Sequence, residues 1–291
     1  MSGDVSVSKK EICDFLKILN FEGKFIAQGS YGKIFDVEID SQNYALKVIK
    51  NEDFGLSGLA EIAGMKKFRH AHLIPLLDIK FSIGEIGILM PLCENDLTKV
   101  SQETLVTNRN RWIHQILSVV NFLHENNFHH SDIKPENILI KNNDIILSDM
   151  GLSGSFMKCV NVELNYCHSN FYCSPQAIYR REPRFGVISD KHKFLCFLET
   201  TLLKEDLWAL GATIYYMITR KQIFFSNRMP CFEAFSHFLK TGNFFKKDMF
   251  PDSYIFPQEY QSLMVALLNV YPEKRYIPKN EYISGEVIFN K

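Results

Sequence analysis

Hydrophobic and polar residues alternate with period two over residues 35–40, where Phe35, Val37 and Ile39 are separated by acidic residues. Residues 41–43 are turn-like, and an extended pattern comes after them. Alternation interrupted by turn residues predicts a β-hairpin. Further extended runs cover residues 44–50, 76–81 and 86–90. The early part of the chain is therefore expected to contain a small antiparallel sheet.

Helical periodicity is present in this early part as well. Residues 56–68 have the spacing of one helix, which should accompany the sheet. Near the N-terminus, apolar residues recur at i, i+3, i+4 and i+7, the spacing of one face of an amphipathic helix. These residues are Ile12, Phe15, Leu16 and Leu19. This short helix is expected to cap the strand-rich part of the chain.

Beyond residue 96 the pattern becomes mainly helical. Apolar residues at helical spacing predict one long helix, and residues 207–218 and 262–270 fit two buried helices. The long helix is marked by Trp112, Ile116, Val119, Val120 and Leu123. A sheet-rich part followed by a helical part predicts an α+β protein of two lobes joined near residues 91–95. A cleft between two lobes is the expected ligand site.

Composition excludes several classes of protein. The 291 residues contain 33 Lys and Arg against 33 Asp and Glu, so no net charge would attract nucleic acid or an anionic membrane. The seven cysteines are an odd number and never form C-x-x-C, which fits a reducing compartment better than a disulfide scaffold. No apolar leader or span of about 20 apolar residues is present. We expect an intracellular protein, cytoplasmic or nuclear, without membrane or nucleic-acid partners.

Gly29, Ser30 and Gly32 lie between two strand-like segments, where absent side chains let backbone N–H groups approach phosphate oxygens. For a G-x-x-G taken in isolation, a tight hairpin turn is the better explanation. Strand alternation places Lys47 on the same face as Ala45, an unusual position for a cation unless an anion meets it. Glu61, on the following predicted helix, is a plausible counter-ion. An edge lysine and a surface glutamate would also account for both.

The sharpest signal is the polar run at residues 130–137, followed by two apolar triplets around a turn at residues 142–143. If the triplets pair as a hairpin, the chain doubles back and brings Asp149 beside Asn137. Carboxylate and amide oxygens are ligands that Mg²⁺ accepts alongside substrate phosphates. Asp132 is then free to receive a hydroxyl proton, and Lys134 can neutralise charge on a transferred group. An ordinary polar loop would have to combine all these residues by coincidence.

These motifs, in this order, resemble the eukaryotic-type protein kinases, and the resemblance extends from about Phe21 to the C-terminus. It implies a bilobal kinase fold in a single domain. The expected parts are an N-terminal extension with a short helix at 1–20, an N-lobe at 21–92 and a C-lobe at 93–291. It also implies ATP and Mg²⁺ as cofactors, with Mn²⁺ as an alternative ion.

The resemblance assigns roles to individual residues. Asp132 would be the catalytic base assisted by Lys134, while Asn137 and Asp149 would hold magnesium. Lys47 would hold the α- and β-phosphates and pair with Glu61. The other residues assigned to the nucleotide site are Ala27, Gly29, Ser30, Gly32, Ile34, Ala45, Met90 as gatekeeper, and Pro91 and Cys93 through their backbone. The Asp206-x-Trp208-x-x-Gly211 motif would anchor the catalytic loop.

The chain departs from the family pattern at several positions. Ser131 replaces the usual arginine before the base, Met150 replaces phenylalanine, and Gln176 replaces glutamate. The long interval between Gln176 and Asp206 implies an insertion around residues 180–204, a docking element or a surface loop. A catalytic domain with altered regulatory motifs resembles, by analogy alone, kinases encoded by viruses.

The expected function is a serine/threonine protein kinase acting on a protein hydroxyl. The Lys134-Pro135-Glu136-Asn137 run and Ser169-x-x-Tyr172 resemble the serine/threonine subgroup. A nucleotide-binding pseudokinase is the first alternative, favoured by Ala27 and Ser131. A small-molecule phosphotransferase is the second. The sequence leaves the protein substrate, the oligomeric state and any activating partner open.

Overall fold

The computed structural model describes residues 23–28, 32–82, 84–150, 172–174, 202–223, 225–226, 229–230, 257–269 and 271–278. Several sequence-based predictions lie outside these residues. They are the helix at 12–19, the positions Gly29, Ser30, Ser169 and Gln176, and most of the insertion at 180–204. The domain boundaries stay predictions.

The N-lobe is built on a five-stranded antiparallel sheet of order β1-β2-β3-β5-β4. Its strands are β1 (Gly23–Gln28), β2 (Lys33–Ile39), β3 (Gln42–Lys50), β4 (Asp78–Ser82) and β5 (Glu85–Pro91). The predicted hairpin is β2–β3. Its turn is formed by Asp40 and Ser41 rather than by residues 41–43, because Gln42 and Asn43 already pair within β3. The φ values of Asp40 and Ser41, 50° and 61°, are of the kind that two-residue hairpin turns require.

The single N-lobe helix in the described ranges, α1 (Asn51–Lys67), follows β3 directly and begins five residues earlier than predicted. Gly55 interrupts its helical geometry with φ 34° and ψ −155°. Met65 and Phe68 at the C-terminal end pack with Ile49 and Ile88, so α1 covers the face of the sheet that carries Ala45 and Lys47. We call this the inner face.

The C-lobe is mainly helical, as predicted. Its helices are α2 (Gln102–Glu125), α3 (Leu202–Thr219) and α4 (Gln261–Leu267). Ser101 precedes helix α2 as its N-cap, and its side chain accepts the Thr104 N–H at 3.1 Å in the first turn. Trp112 and Trp208 are fully buried in the core that these helices share. The α+β bilobal fold is confirmed.

A small sheet of β6 (Asn95–Asp96), β7 (Ile138–Lys141) and β8 (Asp144–Leu147) lies where the lobes meet. The predicted hairpin is β7–β8, with Ile138 opposite Leu147 and a turn at Asn142 and Asn143. The indole N–H of Trp112 donates to the carbonyl of Asn143 at 2.9 Å, which fixes this turn against α2. Two further short strands, β9 (Phe225–Ser226) and β10 (Met229–Pro230), pair with each other. No helix in the described ranges is long and apolar enough to cross a bilayer.

Candidate active site

Lys47 is the buried cation of the site. It lies on β3, only 4% exposed, and its Nζ is 2.7 Å from Glu61 Oε2 and 3.3 Å from Asp149 Oδ1. Burial alone would lower the pKa of Lys47, but the two carboxylates outweigh it and hold the pKa above its ordinary value. The ammonium is therefore charged, and it links α1 to the strand and to the C-lobe.

Glu61 reaches Lys47 from the middle of α1. Burial, reinforced by the negative charge of Asp149, raises the pKa of Glu61 despite the attraction of Lys47. One turn further along α1, Gly64 leaves room for Met150, because a Cβ at Gly64 would lie 2.9 Å from Met150 Cε. The helix that carries Glu61 thus packs directly on the residue after Asp149.

The loop at residues 130–137, which carries Asp132, is held by a buried carboxylate in α3. Asp206 accepts the backbone N–H of His130 at 2.6 Å and that of Ser131 at 2.7 Å, and His124 Nε2 lies 3.1 Å away. Burial alone would raise the pKa of Asp206, but the hydrogen bond and the charge of His124 hold it below its ordinary value. Ser131 has a φ of 67°, so this anchor maintains a backbone conformation that a non-glycine residue seldom adopts.

Asp132, Lys134 and Asn137 form one connected group. Lys134 Nζ donates to Asp132 Oδ2 at 2.7 Å. Asn137 Nδ2 donates to the same oxygen and to the Asp132 carbonyl, both at 2.8 Å. These contacts orient the Asp132 carboxylate through Oδ2. Because Asn137 uses its amide nitrogen here, its Oδ1 remains the acceptor atom of that side chain.

The β7–β8 hairpin brings Asp149 back to Asn137, as the sequence indicated. After β8, Ser148 donates its backbone N–H to the Asn137 carbonyl at 2.9 Å, and its hydroxyl donates to the same oxygen at 3.0 Å. Asp149 is the next residue and has a φ of 62°. Burial alone would raise the pKa of Asp149, but Lys47 and His130 hold it below its ordinary value. Asp149 is therefore an anion.

The cleft between the lobes has a volume of about 670 Å³. Most of the predicted nucleotide and metal residues line it together. They are Ala27, Ile34, Ala45, Lys47, Glu61, Met90, Pro91, Cys93, Lys134, Asn137 and Asp149. Asp132 lies beside this lining through its contacts with Lys134 and Asn137.

Gly32 packs closely against β3. It does not line the cleft, and a Cβ there would meet the Val48 carbonyl oxygen at 2.5 Å. Glycine is required at this position because β3 passes so close, and the assignment of Gly32 to the phosphate-covering loop stays a prediction.

The connection between the lobes is held to the C-lobe by polar contacts. Glu94 donates its backbone N–H to the Ile140 carbonyl at 2.9 Å, and Lys141 Nζ donates to the Leu92 carbonyl at 3.0 Å. Cys93, between them, is half-buried, and burial raises the pKa of its thiol to about 11. A neutral thiol and a fixed backbone therefore face the cleft.

Comparison with known proteins decides the family. The model of the protein kinase domain matches residues 22–282. The chain belongs to the protein kinase family. A probable cell division protein kinase of Encephalitozoon cuniculi is 29% identical over 209 residues, which cover 69% of this chain and 72% of that protein.

Two other relatives of this kinase are longer proteins. A probable serine/threonine-protein kinase of Dictyostelium discoideum is 27% identical over 214 residues, covering 69% of this chain and 38% of that protein. The carbon catabolite-derepressing protein kinase of Saccharomyces cerevisiae is 27% identical over 243 residues, which cover 76% of this chain and 34% of that protein. This kinase spans little more than a third of the length of either.

The motifs of the kinase did not identify some of the residues that line its cleft. Ile74, Leu139 and Ser148 line the cleft. Leu139 could have been found, because it alternates with the buried Ile138 and Ile140 on β7 and must face the opposite side of the strand. Ile74 lies on a segment without periodicity, so the sequence carries no comparable signal for it.

Proposed function

We propose that this kinase transfers the γ-phosphoryl group of ATP to a serine or threonine hydroxyl of a protein substrate. The observation that carries the proposal is the convergence of two anchored groups on one cleft. The Lys47–Glu61 ion pair lies on the N-lobe side, and the group formed by Asp132, Lys134 and Asn137 lies on the C-lobe side.

ATP binding is assigned to the N-lobe and the lobe connection. The charged Lys47 ammonium would attract the α- and β-phosphates, while Glu61 and Asp149 fix its position in a buried environment that strengthens the attraction. Ile34, Ala45 and Met90 provide apolar walls for a planar base. Backbone groups of Pro91 and Cys93 would hydrogen-bond adenine, so the identity of these side chains matters little.

The donor set fits magnesium. Asp149 is anionic, and Asn137 Oδ1 is an amide oxygen. Magnesium is commonly bound by a few such protein oxygens together with phosphate oxygens of the substrate. Bound magnesium would neutralise charge on the phosphates. Manganese, which also accepts oxygen ligands, is expected to substitute.

Asp132 is the proposed acceptor of the proton that the substrate hydroxyl loses. In the reaction the substrate hydroxyl oxygen forms a bond to the γ-phosphorus, the bond from that phosphorus to the β–γ bridging oxygen breaks, and ADP leaves. The hydroxyl proton passes to the Asp132 carboxylate, which Lys134 and Asn137 hold in place. The Lys134 ammonium would offset charge that develops on the transferred group.

Serine or threonine is the proposed acceptor for two reasons. The Lys134-Pro135-Glu136-Asn137 run resembles that subgroup, and a relative at 27% identity carries serine/threonine in its name. The cysteine usage further supports an intracellular location. The matched relatives are named as protein kinases, so a protein is the proposed substrate class.

The test is to incubate the purified chain with magnesium, γ-labelled ATP and a panel of general protein substrates, then hydrolyse the labelled protein and identify the labelled amino acid. We expect label on serine or threonine. Label on tyrosine would overturn the acceptor assignment. Nucleotide binding without transfer to any protein would overturn the proposed catalysis and favour a scaffold.

A further inference from the structure

Lys141 reaches from the C-lobe to the connection between the lobes. It is the last residue of β7, and its Nζ donates to the Leu92 carbonyl at 3.0 Å. Side chains alternate along a strand, so Lys141 lies on the same face of β7 as Leu139, which lines the cleft. A cation of the C-lobe thus holds a backbone group of the segment that is proposed to bind adenine.

Backbone contacts on both sides of Lys141 fix the point from which its side chain starts. Glu94 donates its backbone N–H to the Ile140 carbonyl at 2.9 Å, just before the lysine. The Glu94 carboxylate accepts the backbone N–H of Asn142 at 2.9 Å, just after it. The lysine is therefore anchored on either side to the same connection whose carbonyl its ammonium binds.

The contact sets the direction of the peptide group between Leu92 and Cys93. This peptide bond is trans, so its C=O and N–H point in opposite directions. Because the carbonyl is directed to Lys141, the Cys93 N–H is directed away from it. Among the described residues Cys93 lines the cleft and Lys141 does not, so the N–H is on the cleft side. No hydrogen bond within the described ranges uses this N–H, which leaves it as a donor for a ligand.

We propose that Lys141 is a positioning residue that makes the cleft specific for adenine. The inference rests on the proposed binding of ATP, with the Cys93 N–H as a donor to the base. Adenine has an amino donor at C6 beside the acceptor N1, whereas hypoxanthine has a carbonyl acceptor at C6 beside an N1–H donor. A fixed N–H bonds to adenine but faces a donor of hypoxanthine, and a site with fixed polar groups strongly rejects such a mismatch.

Removal of the ammonium would free this peptide group to turn. The Leu92 carbonyl would lose a charged donor, and hydrogen bonds from charged donors are the stronger ones. A half turn of the peptide would then present the Leu92 carbonyl to the cleft in place of the Cys93 N–H. A carbonyl accepts the N1–H of hypoxanthine and cannot donate to adenine. Lys141 excludes purines with a carbonyl at C6 by holding the other orientation.

The test compares two nucleotides on the same protein. Calorimetry with magnesium gives the Kd for ATP and for inosine triphosphate, whose base is hypoxanthine. The proteins are wild type, Lys141→Met, which removes the donor, and Lys141→Arg, which keeps a charged donor. Lys66→Met is the matched control, because Lys66 is exposed on the last turn of α1.

Wild type should bind ATP more tightly than inosine triphosphate. One misplaced hydrogen bond changes affinity about 5- to 100-fold, so the ratio of the two Kd values should fall at least about fivefold in Lys141→Met. It should stay within about twofold of wild type in Lys141→Arg and Lys66→Met. Both Kd values come from one folded preparation, so a lower stability of a variant does not change the ratio.

Three results would overturn the proposal. They are a wild type that does not distinguish the two nucleotides, a ratio that is unchanged in Lys141→Met, and a ratio that falls equally in Lys66→Met. Equal loss of both affinities in Lys141→Met would show a role in the fold alone. In each case, ATP binding by wild type leaves the proposed function standing. A wild type that binds no ATP would overturn the proposed function together with this inference.

Amide hydrogen exchange gives a second readout at the peptide group itself. ATP should slow exchange of the Cys93 N–H in wild type, and inosine triphosphate should not. In Lys141→Met the protection by ATP should decrease at this amide, and in Lys141→Arg it should persist. Equal protection of the Cys93 N–H by ATP in wild type and Lys141→Met would overturn the proposal.

Discussion

The carboxylate of Asp206 accepts the backbone N–H of Ser131 at 2.7 Å, although 75 positions separate the two residues along the chain. The same carboxylate accepts the N–H of His130. A side chain fixed inside α3 thereby sets the backbone of the loop that presents Asp132. These two hydrogen bonds fix the loop at residues 130–137 to a helix of the core.

Asp206→Asn should therefore destabilise the kinase. An amide offers one acceptor oxygen where two N–H groups need acceptors, and its NH₂ group would face a donor. Leaving a buried N–H unsatisfied costs about 1 to 3 kcal/mol, so the free energy of unfolding should fall by at least that amount. Urea unfolding measures the change. Asp78→Asn, at an exposed position on β4, is the matched control and should change the unfolding free energy by less than about 0.5 kcal/mol. Equal values for the two variants would contradict the anchoring role.

Lys47→Met should abolish phosphotransfer and also destabilise the fold. It leaves the buried Glu61 without its cation, and removing one partner of a buried pair costs about 3 to 5 kcal/mol. Adding Glu61→Gln should recover part of that stability while activity stays absent. Thermal unfolding of the single and double variants, measured beside ATP turnover, checks both parts. A double variant no more stable than Lys47→Met would show that the two residues are not coupled in this way.

Activity should not depend on phosphorylation between Asp149 and Gln176. In kinases switched there, an arginine before the base binds a phosphate with a charge of about −1.5 to −2. Here the residue before the base is Ser131, whose side chain carries no positive charge. Its hydroxyl lies 2.7 Å from His129 Nδ1. Protein expressed in bacteria, treated with phosphatase and checked for unmodified mass, should show full initial rates without a lag. A large loss restored by phosphate on Ser153, Ser155, Tyr166 or Ser169 would mean that another cation binds it.

Cys93 should be slow to alkylate although it lines the cleft. The thiolate is the reactive form, and a thiol pKa raised from 9.0 to about 11 leaves about 100-fold less thiolate at neutral pH. Iodoacetamide labelling followed by mass spectrometry of the Cys93 peptide measures the rate. It should rise about tenfold per pH unit up to about pH 11 and increase on unfolding in urea. A rate at pH 7 equal to that of the unfolded chain would contradict the burial of the thiol.

The sequence predicted the hairpins well for a physical reason. Period-two alternation and asparagine-rich or aspartate-containing turns specify both partners of β2–β3 and β7–β8 within a short stretch of chain. The start of α1 was missed because Asn51 to Gly55 lack an apolar stripe and Gly55 breaks the helical geometry. The local sequence pattern could not show that β3 passes too close to Gly32 for a side chain there, because that contact depends on how two strands pack.

The site was predictable to the extent that its residues are close in sequence. Asp132, Lys134 and Asn137 share one loop, and the hairpin after that loop returns Asp149 to it. The pairing of Lys47 with Glu61 could be proposed from strand and helix faces. The hold of Asp206 on the loop needed either the family resemblance or the structure, because no local pattern specifies a contact across 75 positions.

The central claim is that Asp132 receives the hydroxyl proton in a site that binds ATP independently of it. The most direct measurement compares wild type with Asp132→Asn in two assays, nucleotide binding by calorimetry and phosphotransfer to protein by a quenched single-turnover reaction. General base catalysis contributes about 10²- to 10⁴-fold, so the transfer rate should fall at least about 100-fold while the Kd for the nucleotide is nearly unchanged. Near wild-type transfer by Asp132→Asn would contradict the assignment of Asp132 as the base.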